Sequence, residues 1–244
     1  MRLDGVQKQV FDDFVDLATG MSIQSMSTQR HGLYLSSESL VNQLWEEPSH
    51  ELLFSPHTPG HFLYVHAKKM TANEVVFTVG NTGRGVQGKT LHGSSSKADL
   101  LQRYTVTREM KNGQKEDDDC FKARLILMMK QLQKSQKSDG ADCTADVFMT
   151  EILPDVFKGI EAERDFEKRR VQGVGNCAGK GIYKNLFYQV CLDRGCPDLY
   201  YAITDKMSEV LWDVFQGEGK DLEKVRDRIT KKRAKLADKI SKSK

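Results

Sequence analysis

Long apolar runs are missing from this chain: none of its 244 residues falls in a stretch near the roughly 18–20 apolar residues that a membrane-spanning helix needs. An integral membrane protein is therefore not expected. The first fifteen residues, MRLDGVQKQVFDDFV, carry acids among their apolar positions and lack the unbroken apolar core of a secretory signal. Paired cysteines are also missing. The five present are an odd set with no C-x-x-C spacing, which argues against a zinc site, a redox pair or a disulfide framework and for free thiols in a reducing, intracellular compartment. No metal and no cofactor is implied. Strong net charge is absent too, at +3, and residues 218–244 concentrate the excess with eleven Lys/Arg against five Asp/Glu. The body of the protein thus has no electrostatic footprint for nucleic acid. No internal repeat is visible.

What is present is enough apolar residue, 39%, to bury a substantial core. Val6, Val10, Phe11, Phe14 and Val15 recur at helical spacing and predict an amphipathic helix over 4–18, ended near Gly20. SSESLVNQLWEE predicts a second helix with Ser36 or Ser37 as N-cap and Pro48 closing it. HFLYVHA and EVVFTVG, rich in β-branched and aromatic residues and joined by KKMTAN, predict a hairpin. Residues 93–96 and 111–119 read as loops. FKARLILMMKQLQK and 145–170 have helix-forming composition, with Pro154 as a break, so that roughly 97–170 reads as a helical insertion. Ile182, Leu186, Phe187 and Val190 mark a helix ended by Gly195 and Pro197, and YYAITDKMSEVLWDVF a further core element. The division expected is a catalytic α+β domain over 1–217 and a basic amphipathic helix over 218–244.

Two motifs compete for the chemistry. Gly83–Thr90, GRGVQGKT, fits the phosphate-loop pattern G-x-x-x-x-G-K-[ST] and follows a β-like run. Such a loop must hand its Gly-Lys-Thr to a helix whose amides hold the phosphates, but LHGSSSK follows, a poor helix start. The acid that would hold Mg²⁺ at a second strand end has one candidate, Asp205 in LYYAITD.

The alternative begins with the hairpin. Centred on Thr71, it opposes Leu63 to Val79, Phe62 to Gly80 and His61 to Asn81, so that an imidazole and an amide lie side by side at one end. The Asn81 carbonyl would fix the ring's tautomer and direct its other nitrogen to a nucleophile. Cys177 supplies one: in VQGVGNCAGKG it sits in a glycine-rich turn feeding an amphipathic helix, where the helix dipole favours the thiolate. Gln172 is spaced to help the Cys177 backbone N–H stabilise an oxyanion. Cys191 reads as a core residue, Cys120 and Cys143 lie beside polar loops and Cys196 near a helix end. His31, His50, His57, His66 and His92 have no comparable partner arrangement, and His66 falls on the strand face opposite His61.

This layout, with His61 in GHFLYV, Asn81 in VGNTG, and Gln172 and Cys177 in QGVGNC, resembles that of the adenoviral and SUMO-type cysteine proteases and related bacterial effectors. The resemblance covers roughly 55–195. It implies a papain-like core in permuted order, a small antiparallel sheet packed on a helix that begins at the catalytic cysteine. It further implies a thiol peptidase or isopeptidase acting on ubiquitin or a ubiquitin-like protein, and a bacterial effector translocated into a host cytoplasm. Some members of that clan are acyltransferases with the same Cys-His site. Asn81 stands where most of the clan has an acid, and Phe62 where a tryptophan often follows the histidine. The readings to be separated are thus a cysteine hydrolase using Cys177, His61, Asn81 and Gln172, a nucleotide-binding protein using Lys89 and Thr90, and a non-enzymatic binding module.

Overall fold

In the computed structural model the described residues are 3–31, 36–46, 51–56, 61–81, 97–98, 101–133, 144–163, 169–170 and 185–214, with six further helical positions between 227 and 238. They form two compact units, Met1–Val15 with Leu186–Lys244, and Asp16–Asn185. The architecture is α+β, and no described helix is long and apolar enough to cross a membrane. The boundary expected at 217 falls in 215–244, nearly all of which lies outside the described residues.

The larger unit is built on a four-stranded antiparallel sheet in the order β1-β2-β3-β5, from β1 (Glu51–Phe54), β2 (Leu63–Thr71), β3 (Glu74–Asn81) and β5 (Leu101–Thr107). Between β3 and β5 lies a two-residue strand, β4 (Lys97–Ala98), paired with β8 (Arg169–Arg170) in a separate small sheet. Alternation sorts the side chains of the main sheet cleanly. Leu52 and Phe54, Leu63, Val65 and Ala67, Val75, Phe77 and Val79, and Tyr104 and Val106 share one face. Against them pack Leu40, Val41 and Leu44 of α2 (Ser37–Glu46) and Phe121, Leu125, Met128, Met129 and Leu132 of α3 (Asp118–Leu132). Phe148, Met149, Leu153 and Phe157 complete this core, Phe157 stacking on Tyr104 at 4.1 Å between ring centroids. The other face carries Leu53, Tyr64, His66, Thr78 and Leu101, all buried. Burial on both faces explains why EVVFTVG reads as a nearly continuous apolar run.

Local chemistry fixes the ends of the helices. The Ser36 hydroxyl accepts from the Ser39 amide and caps α2, and the Asp117 carboxylate accepts from the Cys120 amide and caps α3. That amide bond is the first reason the exposed Asp117 carboxyl is held below its ordinary value.

Several expectations are corrected. The first helix, α1 (Gly5–His31), runs past Gly20, because one glycine costs a helix only about 1 kcal/mol and Ala18, Met21, Gln24 and Met26 favour it. The hairpin is not centred on Thr71. Its turn is Ala72–Asn73 and a bulge falls between Lys69 and Thr71, so Leu63, not His61, opposes Asn81, and Tyr64, not Phe62, opposes Gly80. Residues 101–107, assigned to a helical insertion, are strand β5 of the main sheet. The 111–119 loop contains β6 (Met110–Lys111) and β7 (Gln114–Lys115), turned by Asn112 and Gly113 at φ 53° and 77°, and then the start of α3. Pro154 does not break its helix. A π-helical stretch, Phe148–Ile152, joins α4 (Ala145–Val147) to α5 (Leu153–Val156) and accommodates the missing N–H. The helix then ends at Val156 instead of continuing to 170. The 93–96 loop and the linker between α3 and α4 lie outside the described residues.

In the smaller unit, α6 (Phe187–Asp193) ends at Gly195, whose φ is 68°, and α7 (Pro197–Val214) follows. Phe11 and Phe14 of α1 pack on Phe187, and Arg194 pairs with Asp13 at 3.0 Å.

Candidate active site

The β2–β3 hairpin carries the site because its two strands end together. The Ser55 hydroxyl donates to the Leu63 carbonyl at 2.7 Å, tying the chain after β1 to the first residue of β2. Two residues earlier is His61, half-buried, and across the ladder from Leu63 is Asn81, buried. The register is two residues away from the one expected. A shift of two preserves every side chain's face, so His61 and Asn81 become diagonal neighbours on one face instead of direct partners. Diagonal neighbours are within reach of long side chains, and His61 Nε2 lies 2.8 Å from Asn81 Oδ1.

The chemistry of that contact follows from the amide. A carbonyl oxygen only accepts, so Nε2 donates, and in the neutral ring the lone pair resides on Nδ1. The imidazole is thereby oriented, and its tautomer chosen, by a neutral amide. Asn81 is itself fastened: the Asn185 side-chain Nδ2 donates to the Asn81 main-chain carbonyl at 2.8 Å, and both residues are buried.

Gly80, one residue before Asn81, is required by packing. A β-carbon there would come 2.0 Å from Cε1 of Tyr64, whose ring lies against the glycine. Tyr64 fills the space beside Gly80.

Of the four expected site residues, His61 and Asn81 are brought together, while Gln172 and Cys177 lie outside the described residues. Asn185 is the residue that sequence reasoning missed. The available signal was an amide on the apolar stripe of Ile182, Leu186, Phe187 and Val190. Among the described thiols, Cys191 is buried and burial pushes it up to about 12, while burial, with Asp198 nearby, also raises Cys196. Both are poor nucleophiles near neutral pH. Cys120 is exposed at the N-terminus of α3.

His66 does have a partner arrangement, contrary to expectation. Its Nε2 lies 3.2 Å from Glu51 Oε2, and Lys68 Nζ lies 2.7 Å from Glu51 Oε1. Burial alone would raise the Glu51 carboxyl, but hydrogen bonds and charge from His66 and Lys68 outweigh it and hold the group well below its ordinary range. On the phosphate-loop side, residues 83–90 lie outside the described set. β3 pairs antiparallel with both its neighbours, and Asp205 falls inside α7 instead of at a strand end. No group of three or more His, Cys, Asp or Glu side chains able to hold a metal occurs among the described residues.

No family model, curated protein or solved structure matches the chain.

Proposed function

We propose that the chain is a cysteine hydrolase with a permuted papain-like site, in which Cys177 is the nucleophile, His61 the general base and acid, Asn81 its orienting partner and Gln172 an oxyanion donor. The observation that carries this reading is the His61 Nε2···Asn81 Oδ1 contact of 2.8 Å at the end of the sheet. It supports a ring whose Nε2 donates to Asn81 and whose lone pair lies on Nδ1. Nδ1 takes the Cys177 thiol proton, and the thiolate attacks the substrate carbonyl carbon. The oxyanion that forms is held by the Gln172 amide and the Cys177 N–H. When it collapses, the protonated Nδ1 delivers its proton to the leaving amine. A thioester remains, and water activated by the same nitrogen hydrolyses it.

The Asn185 contact lends further support through chain continuity. Asn185 follows Cys177 by eight residues, and a helix of that length spans only about 12 Å, so a helix beginning at Cys177 would start in the neighbourhood of the His61–Asn81 pair. The nucleotide reading is weakened by the antiparallel pairing of β3 and the helical setting of Asp205.

The proposed substrate, ubiquitin or a ubiquitin-like protein encountered in a host cytoplasm, comes from the resemblance of the three sequence windows. A panel of ubiquitin, NEDD8 and SUMO probes with C-terminal thiol traps tests residue and partner together. The expected result is a covalent adduct at Cys177 with one member of the panel, absent in Cys177→Ala and His61→Ala proteins. An adduct at another cysteine would remove Cys177 from its role, and reaction with none would remove the partner class.

A further inference from the structure

We propose that Asn185 is a positioning residue for the His61–Asn81 pair, a role that rests on the cysteine-hydrolase reading of that site. The β2–β3 ladder reaches Leu63↔Asn81, and among the described residues the β3–β5 ladder runs to Gly80↔Leu101. Asn81 closes β3 (Glu74–Asn81). On its main chain, the Asn185 amide supplies a further bond, Nδ2 donating to the Asn81 carbonyl at 2.8 Å. The Asn81 side chain leaves the same backbone two bonds from that carbonyl carbon, so a displacement of the peptide is carried directly to Oδ1, and through it to His61.

The energetics indicate that this amide is not kept for stability. Asn185 is 1% exposed, and its Oδ1 is buried and accepts no hydrogen bond from the described residues. An orphaned buried acceptor costs about as much as the hydrogen bond at the other end of the same amide gains. An apolar residue of similar size would remove both terms and fold comparably well. What it would not reproduce is the directional bond to Asn81. The same contact ties Asn185 to the residue that orients His61, so one hydrogen bond bears on the orientation of the base.

The test is a tautomer measurement on the full chain, by ¹⁵N NMR of protein labelled at histidine, with the His61 signals assigned by their loss in His61→Gln. In the native protein His61 is expected as the Nε2–H tautomer. Asn185→Leu is expected to shift it to a mixture of tautomers and leave His66 unchanged, since His66 is held independently by Glu51. In an Asn81→Ala background the same substitution should have no further effect on His61, because its route is gone; a generally loosened fold would still show one. The rate of Cys177 alkylation by iodoacetamide should fall about tenfold or more in Asn185→Leu. Asn185→Asp, which keeps the size but loses the donor, gives the same readouts if the leucine variant does not fold. An unchanged His61 tautomer, or equal changes at His61 and His66, would overturn the proposal. If native Cys177 alkylates no faster than Cys120, the hydrolase reading fails, while the tautomer measurement, made in Cys177→Ala protein, still decides the role of Asn185.

Discussion

Two histidines belong to the same stretch of chain, five residues apart, and are used in opposite ways. His61 stands just before β2 on the face of the helical core, half-buried, with a neutral amide oxygen 2.8 Å from Nε2. His66 stands on the opposite face, 2% exposed, against the carboxylate of Glu51, which also takes Lys68. An amide orients a ring and leaves its charge free to change in a reaction. A buried carboxylate between an imidazole and an ammonium group commits charge to the fold, where a proton gained or lost is felt as stability. Of the two, His61 is the more accessible, half-buried where His66 is 2% exposed.

Changes at the ends of the proposed Cys177–His61–Asn81 constellation should separate the two most sharply. Cys177→Ala and His61→Ala are each expected to lower the rate of adduct formation with the reacting ubiquitin-family probe about 10³-fold or more, with little change in melting temperature. The next largest effect belongs to packing. Gly80→Ala drives a β-carbon into Tyr64 and should destabilise by about 3 kcal/mol in urea denaturation, whereas Gly5→Ala, with no neighbour within 4 Å, should change stability by less than about 0.5 kcal/mol.

Asn81→Ala should cost about tenfold to a hundredfold in rate at constant fold. Asn81→Asp sharpens the contrast, because it gives His61 the kind of partner that His66 has. A carboxylate favours the imidazolium, so the pH–rate profile should move to higher pH. At His66 the readout is stability. Glu51 titrates below its ordinary value of 4.5 in the fold, so its stabilisation is complete above that pH and is lost as pH falls below it. Glu51→Gln should cost about 2 kcal/mol at pH 7 and flatten the stability curve below pH 4.5, leaving Cys177 alkylation unchanged.

How far the sequence discloses this depends on what each element's signal is made of. The hairpin was legible because β-branched and aromatic residues dominate both strands, and its site survived a register error because that error was even. The bulge at Met70 has no residue signature of its own. β1, with only the four residues ELLF, is too short for periodicity, and without it the partner of His66 was invisible. β5 was submerged in a helix-rich region although Thr105, Val106 and Thr107 are β-branched. The π-helical stretch before Pro154 and the role of Asn185 depend on tertiary contacts that local pattern does not encode.

The central claim is that His61, oriented by Asn81, acts on Cys177. The pH dependence of iodoacetamide alkylation at each of the five cysteines, in native and His61→Ala protein, tests it most directly. The account predicts that native Cys177 reacts fastest near neutral pH and that His61→Ala abolishes this advantage, with Cys191 and Cys196 slow in both. A Cys177 that reacts no faster than the exposed Cys120, and is indifferent to His61, would contradict it.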